Sequence, residues 1–188
     1  MIVTTKIALA GEGGQGVQSV AEILAEAANQ EGREAIYIPN FGVEQRGGVS
    51  IAFVQISDET IGSPKFKTAD IVIALSGRSI PRTAQYVDGN TVFVYDAAIK
   101  EHLDALPKHA KKVLSIPALE VAKNELNPRV FNVIILGAVI AATNVITIDQ
   151  AKAAIEAKLG HKFAQKPELR DLNYRALERG AELVQEAE

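Results

Sequence analysis

The sequence predicts a single three-layer α/β domain with a mostly parallel sheet, a small antiparallel insertion and a C-terminal helical extension. Three observations support this. The chain has 188 residues, 47 % of them apolar, enough to bury one sizeable core. Short apolar runs alternate with helical periodicity through the first two-thirds, and only helical patterns follow. The expected division of the single domain 1–188 is a sheet core over 1–125 and a helical part over 126–188.

The elements are read in order. Lys6 to Ala10 is a short apolar run that stops at Gly11-Glu12-Gly13-Gly14-Gln15-Gly16. From Val17 the apolar positions Val17, Val20, Ile23, Leu24 and Ala27 fall on one helical face, and the helix ends near Gly32. Ala35 to Ile38 reads as a second buried strand broken by Pro39, so the opening is a βαβ unit. Val49 to Ile56 reads as a longer strand, which a turn at Ser57-Asp58-Glu59 joins to Thr60-Ile61-Gly62 as an antiparallel hairpin on the sheet edge. Ala69 to Leu75 and Thr91 to Tyr95 are near-continuous apolar runs, as expected of strands covered on both faces. A helix over Arg78 to Val87 lies between them, and Val113 to Ile116 is a further strand. Asn127-Pro128 supplies an N-cap and a first-turn proline for a helix through Ala142, and helices over Asp149 to Leu159 and Glu168 to Gln185 finish the chain.

Composition narrows the chemistry. Twenty Lys and Arg against 23 Asp and Glu leave a net charge of -3, which gives no electrostatic reason for a nucleic-acid or acidic-membrane partner. The chain has no cysteine, which removes disulfides, thiolate zinc sites, Cys-ligated iron-sulfur clusters and Cys nucleophiles together. Its three histidines, His102, His109 and His161, lack metal-ligand spacing. The N-terminus carries no basic leader or apolar signal core, so a cytoplasmic location is the expectation. The most apolar stretch, Val130 to Val145, is interrupted by Asn132, Gly137, Thr143 and Asn144 and is shorter than the ~20 residues a membrane helix needs.

Gly11, Gly13 and Gly16 fit G-x-G-x-x-G in its meaningful context, after a strand and before a helix. Such a turn lets backbone N–H groups approach a phosphate, helped by the positive end of the helix dipole. Equally, the glycines could serve only a sharp turn and close helix packing. The acidic ribose contact of a dinucleotide fold is absent, because the second strand ends Ile38-Pro39-Asn40, and Val17-Gln18 stands where a Walker loop needs Lys-Ser/Thr.

A polar loop, Phe41-Gly42-Val43-Glu44-Gln45-Arg46-Gly47-Gly48, follows the second strand and should share the carboxyl edge of the sheet with the glycine turn. Arg46 could fork onto a phosphate or carboxylate, or pair with Glu44 and brace the loop. Ser76 and Asp96 close later strands at the same edge, where each could cap a turn or touch a ligand. No nucleophile, base and orienting group assemble from these residues, so the domain reads as one that binds and docks.

Together, Gly11 to Val17, the loop Gly42 to Gly48 and the strand Ala69 to Ala74 resemble the gamma subunit of the 2-oxoacid:ferredoxin oxidoreductases, the pyruvate, 2-oxoglutarate and ketoisovalerate enzymes. Asn132 with Leu136-Gly137-Ala138, and Asn173 with Ala176 and Gly180, extend the resemblance over nearly the whole chain. It implies a Rossmann-like fold and an accessory, non-catalytic subunit of a complex that oxidatively decarboxylates a 2-oxoacid to an acyl-CoA. Thiamine diphosphate, magnesium and iron-sulfur clusters would then belong to alpha, beta and in some complexes delta partner subunits, with ferredoxin as acceptor. The resemblance also implies that this chain contacts coenzyme A through Gly11, Gly13, Gly14, Gln15, Gly16 and Val17, and through Gly42, Glu44, Arg46, Gly47 and Gly48.

Two other readings compete with this one. A free-standing dinucleotide-binding oxidoreductase would need the missing acidic ribose contact and a proton donor. A purely structural subunit would leave the glycine turn empty. An isolated subunit would also be expected to pair with a second copy through the surface meant for its partners.

Overall fold

The computed structural model describes residues 4–41 and 48–187. A six-stranded mixed sheet forms the middle layer: β1 (Thr4–Glu12), β2 (Glu34–Asn40), β3 (Val49–Ser57), β4 (Ile71–Ala74), β5 (Val92–Asp96) and β6 (Lys112–Ile116), in the spatial order β2-β3-β1-β4-β5-β6. The pairs β1–β4, β4–β5 and β5–β6 are parallel, whereas β3 is antiparallel to both β1 and β2. The helices are α1 (Val17–Gln30), α2 (Ser79–Thr83), α3 (Ala118–Asn124), α4 (Phe131–Thr143), α5 (Ile148–Gln165) and α6 (Glu168–Ala187).

The antiparallel element is therefore an interior strand and not an edge hairpin. β3 lies between β2 and β1, and residues 60–62 form no strand. Its alternating apolar residues explain the position: Ala52, Val54 and Ile56 are fully buried toward the main core, and Val49 and Ile51 are buried on the opposite face. The segment beyond the turn is held by side chains instead, since Ile61 N–H donates to the Glu34 carboxylate (2.9 Å) and Gln55 Nε2 donates to the Ser63 carbonyl (2.8 Å). The opening strand-helix-strand unit survives in direction, with β3 inserted between β1 and β2. Pro39 does not break β2, where it pairs with Ala52. It is tolerated because β2 is an edge strand, where a missing N–H need leave no ladder bond unmade.

The two faces of the sheet are covered unequally. One face presents Ile7, Leu9, Val54, Ile71, Ile73 and Val94 to a large core shared with α1, α3, α4, α5 and α6. The other presents Ala8, Val72, Ala74 and Phe93, which are covered by Ile80 of the short α2, by Val87 and by Ile99. The helix read over Arg78 to Val87 is the single turn and a half of α2 followed by a 3-10 turn at Ala84–Tyr86. Asn127 and Pro128 start a 3-10 turn that leads into α4, with the Asn127 side chain accepting from Arg129 N–H (2.9 Å).

The helix α4 is buried on nearly every side, with Ile134, Ile135, Leu136, Ala138 and Val139 fully enclosed. It crosses α6 at a pair of glycines. A Cβ at Gly137 would lie 1.9 Å from the Leu177 carbonyl oxygen, and one at Gly180 would lie 1.9 Å from that of Ile134. Backbone meets backbone at this crossing, which fixes α4 against the sheet and brings its first turn to the glycine-rich end of β1. Helix α5 begins with a capping box, in which Thr147 accepts from Gln150 N–H and Gln150 accepts from Thr147 N–H.

Candidate functional site

β1 is a central strand, so its chain must leave the sheet at the carboxyl edge, and the turn there is shaped by one side chain. Gln15 Oε1 accepts from Glu12 N–H and Gln15 Nε2 donates to the Leu75 carbonyl, both at 2.7 Å. This half-buried carboxamide ties the turn to the end of β4. It also crowds Gly11, where a Cβ would meet Gln15 Oε1 at 2.7 Å and Val17 Cγ2 at 2.9 Å. Gly16 is constrained twice: its φ is 77°, and a Cβ would lie 2.5 Å from Asn132 Cβ of α4. Gly13 and Gly14 differ, since a Cβ on either would meet nothing within 4 Å, and Gly14 has a φ of 91°.

The four glycines thus divide into two roles. Gly11 and Gly16 are required by packing and backbone conformation. Gly13 and Gly14 expose backbone to the outside. Val17 faces the core at 3 % exposure. Gly48 precedes Val49, which pairs with Glu12, and Phe41 follows Asn40 at the same edge with 70 % of its surface exposed. The flanks of the polar loop therefore arrive beside the glycine turn. Gly42, Glu44, Arg46 and Gly47 lie outside the described residues.

Among the described residues, few groups set the electrostatics of the edge. α1 starts at Gly16 with neither a side-chain cap nor an acidic residue in its first turn, so its N-terminal partial positive charge is not neutralised from within the helix. The one carboxylate of the turn, Glu12, is bound by Arg78 Nε at 2.9 Å. The Arg78 hydrogen bond, aided by its charge and by Ser76, holds the Glu12 carboxyl below its ordinary value despite some desolvation. The first turn of α1 is clamped to the sheet by Gln18, which accepts from the Tyr37 hydroxyl (2.6 Å) and donates to Ser50 Oγ (2.6 Å).

Ser76 and Asp96 do end strands at this edge, but their polar atoms are used internally. Ser76 Oγ and Ser79 Oγ share a hydrogen bond of 2.7 Å. The buried Asp96 carboxylate accepts from Ala98 N–H and from Leu119 N–H in the first turn of α3, both at 2.8 Å. Burial pushes its carboxyl upward against the pull of these two bonds. Asp96 is a helix cap. Among the described residues, no group of three or more His, Asp or Glu side chains is placed to hold a metal.

Three features of the site escaped the sequence reading. The reach of Gln15 to Leu75, the pairing of Arg78 with Glu12 and the contact of Asn132 with Gly16 each join residues more than 55 positions apart. Gln15 and Asn132 are singled out by the resemblance, and Asn132 also stands out as a polar residue within the apolar stretch 130–145, but none of the three contacts was legible.

The family model for pyruvate ferredoxin/flavodoxin oxidoreductase matches residues 6–183, which takes in every strand but the first two residues of β1. The chain belongs to this family. Within the oxidoreductase family, ketoisovalerate oxidoreductase subunit VorA of Methanothermobacter thermautotrophicus is 35 % identical over 181 residues, 96 % of this chain and 36 % of VorA. The pyruvate/ketoisovalerate oxidoreductases common subunit gamma of Thermococcus litoralis is 35 % identical over 164 residues, 83 % of this chain and 87 % of that subunit. A solved structure of 2-oxoglutarate:ferredoxin oxidoreductase from Magnetococcus marinus, with 2-oxoglutarate, coenzyme A and succinyl-CoA bound, superposes with a TM-score of 0.87 at 27 % identity. That match covers 97 % of this chain and 31 % of the other. The chain thus spans about a third of VorA and of the solved chain, and most of a separate gamma subunit. Among the described residues, no helix is long and apolar enough to cross a membrane.

Proposed function

We propose that this chain is the gamma-type subunit of a heteromeric 2-oxoacid:ferredoxin oxidoreductase that converts a 2-oxoacid and coenzyme A to an acyl-CoA. It acts as one docking domain over residues 1–188. Alpha and beta chains, with a delta chain in some complexes, hold thiamine diphosphate, magnesium and iron-sulfur clusters, and ferredoxin accepts the electrons. This reading places the complex in the cytoplasm. The isolated chain pairs with a second copy through the surface left by its absent partners.

The observation that carries the reading is the divided glycine turn. If the turn served only its own shape and packing, Gly11, Gly16 and the left-handed Gly14 would suffice, and the outward Gly13 would have no task. The open backbone of Gly13 and Gly14, beside an uncapped helix N-terminus and a carboxylate already paired with Arg78, suits a diphosphate or pantetheine amide. Gly48 belongs to the same contact surface, as do Gly42, Glu44, Arg46 and Gly47, while Gln15 and Val17 hold the turn in shape from beneath. The coenzyme A in the name of the Magnetococcus structure and the gamma-subunit name of the Thermococcus relative support this assignment.

The purely structural reading draws on the same turn, because two of its four glycines are accounted for by packing. One experiment separates the two. The tagged chain is purified anaerobically from its host, and what accompanies it is assayed for coenzyme A-dependent acceptor reduction by several 2-oxoacids. Co-purification of larger thiamine-containing chains with that activity is the expected outcome, with Gly13→Val raising the KM for coenzyme A. Assembly with an unchanged KM leaves the structural reading, and a chain that emerges alone refutes the subunit assignment.

A further inference from the structure

The sheet face away from α1 carries an aromatic groove at the β2 edge. Side chains alternate along β2 and β3, so the pair Tyr37 and Val54 goes to the main core, whereas the next pair, Ile38 and Phe53, goes to the opposite face. Phe53 is the hub of a cluster there, edge to face with Phe66 (ring centroids 5.6 Å apart) and with Tyr86 (5.0 Å). Exposed residues Pro39, Asn40, Pro64 and Lys65 complete the rim of a groove of about 410 Å³. All three rings are half-buried, so the groove leaves aromatic surface open. No carboxylate lines it, and its one cation, Lys65, can sit over the face of an incoming ring. A groove of rings and prolines with a single ammonium group suits an aromatic side chain.

Such a side chain stands next to the groove on the same chain. Phe41 is 70 % exposed, against 39 % for Leu103 and for Val113, the other large apolar side chains left outside among the described residues. It directly follows the groove residue Asn40, which puts the two Cα atoms only about 3.8 Å apart. Knob and groove thus adjoin, yet Phe41 does not fill the groove of its own chain. A twofold axis between them carries Phe41 of each copy into the groove of the other, the self-complementary arrangement of an isologous contact. Pairing by strand addition is disfavoured at this edge, because Pro39 of β2 has no N–H to give a neighbouring strand.

We propose that a second copy of this chain occupies the groove, each copy inserting Phe41 against Phe66, Tyr86 and Lys65 of the other. The inference rests on the reading that the isolated chain pairs with itself, and it adds the surface and the residues. Two exchanged phenylalanine rings bury roughly 300–500 Å². An interface confined to the groove and its rim falls below the ~1,200 Å² of stable complexes, so the dimer is weak and reversible. Because Phe41 lies at the edge that carries the glycine turn, pairing and docking on partner chains compete for one surface.

The test uses the full chain, alone in solution. Sedimentation velocity should show association that grows with concentration. Phe41→Asp should weaken it at least about tenfold, the scale of one lost aromatic anchor, and Phe41→Trp should retain it. Both variants should keep the wild-type melting temperature, since the position is exposed. Placement is read with a photoreactive benzoylphenylalanine at position 41, after mixing with a heavy-isotope copy that lacks it. Cross-links should join the two copies and fall on residues 64–66 or on Tyr86. A dimer that Phe41→Asp leaves intact, or cross-links that fall outside the groove or within one chain, would overturn the proposal and leave the pairing reading standing. A chain that stays monomeric at every concentration removes the pairing reading and the proposal together.

Discussion

The crossing of α4 and α6 gives the sharpest test of the packing that supports the site. Replacing Gly137 with alanine sets two effects against each other. In a helix interior, alanine is favoured over glycine by about 1 kcal/mol. At this position, however, the new methyl would stand 1.9 Å from the Leu177 carbonyl oxygen, 2.9 Å from its carbon and 3.1 Å from Ala181 N. All three are backbone atoms, so no rotamer change relieves the overlap and the helices must part by more than 1 Å. Overpacking of this kind costs ~1–3 kcal/mol where side chains can yield, and a rigid backbone contact belongs at or above the upper end. The net loss is then about 2 kcal/mol, and at ~2–4 °C per kcal/mol for a domain of this size the melting temperature should fall ~4–8 °C. Gly160 supplies the control, because its Cβ would meet only the flexible Glu156 side chain, at 3.6 Å. Gly160→Ala should therefore raise the melting temperature by ~1–4 °C. Thermal melts followed by far-UV circular dichroism on the two variants decide the matter. If Gly137→Ala melts at or above the wild-type temperature, the backbone contact does not hold α4 in place.

The turn itself yields three further expectations. Gly16→Ala should destabilise the domain by about 1–3 kcal/mol in urea titration, because it combines a left-handed backbone with a methyl driven into Asn132. Gln15→Ala should cost about 1–3 kcal/mol, since it leaves Glu12 N–H and the Leu75 carbonyl without their partner, and Gln15→Glu should rescue only the first of these bonds. The Glu12–Arg78 pair should show its sign on acidification. The folded-state pKa of Glu12 is depressed, so its contribution is present above the ordinary value of 4.5 and is lost as pH falls through the folded value. Both side chains are about a third or more exposed, which limits the effect to about 1 kcal/mol or less. The stability gap between wild type and Arg78→Ala should be level from neutral pH down to about 5 and close toward pH 3. A gap that widens in acid would refute the pairing.

Much of the fold can be read from local pattern, because local pattern is enough to define an element. The apolar runs that became β1, β4 and β5 are continuous because both faces of those strands are buried, and α1 shows its single buried face at helical spacing. The two motifs of the candidate site were equally visible, since a glycine turn between strand and helix must lie at the carboxyl edge. The place of β3 was not legible. A strand of alternating apolar residues pairs as readily at an edge as in the interior, and the choice fell to which neighbours could cover both of its faces. Pro39 misled for the same reason, because whether a proline ends a strand depends on whether that strand is at the edge.

The sequence by itself determined the α/β class, the division between alternating elements and a helical end, the exclusion of cysteine chemistry and the glycine turn with its family resemblance. These follow from composition and from spacings of a few residues, which act through the chain's own geometry. Only the tertiary structure decided which glycines serve packing and which face outward, that Asp96 is a cap, and that Ile38, Phe53, Phe66 and Tyr86 line one groove. Each of those depends on contacts between segments tens of residues apart, and such contacts exist only once the core has fixed the helices against the sheet.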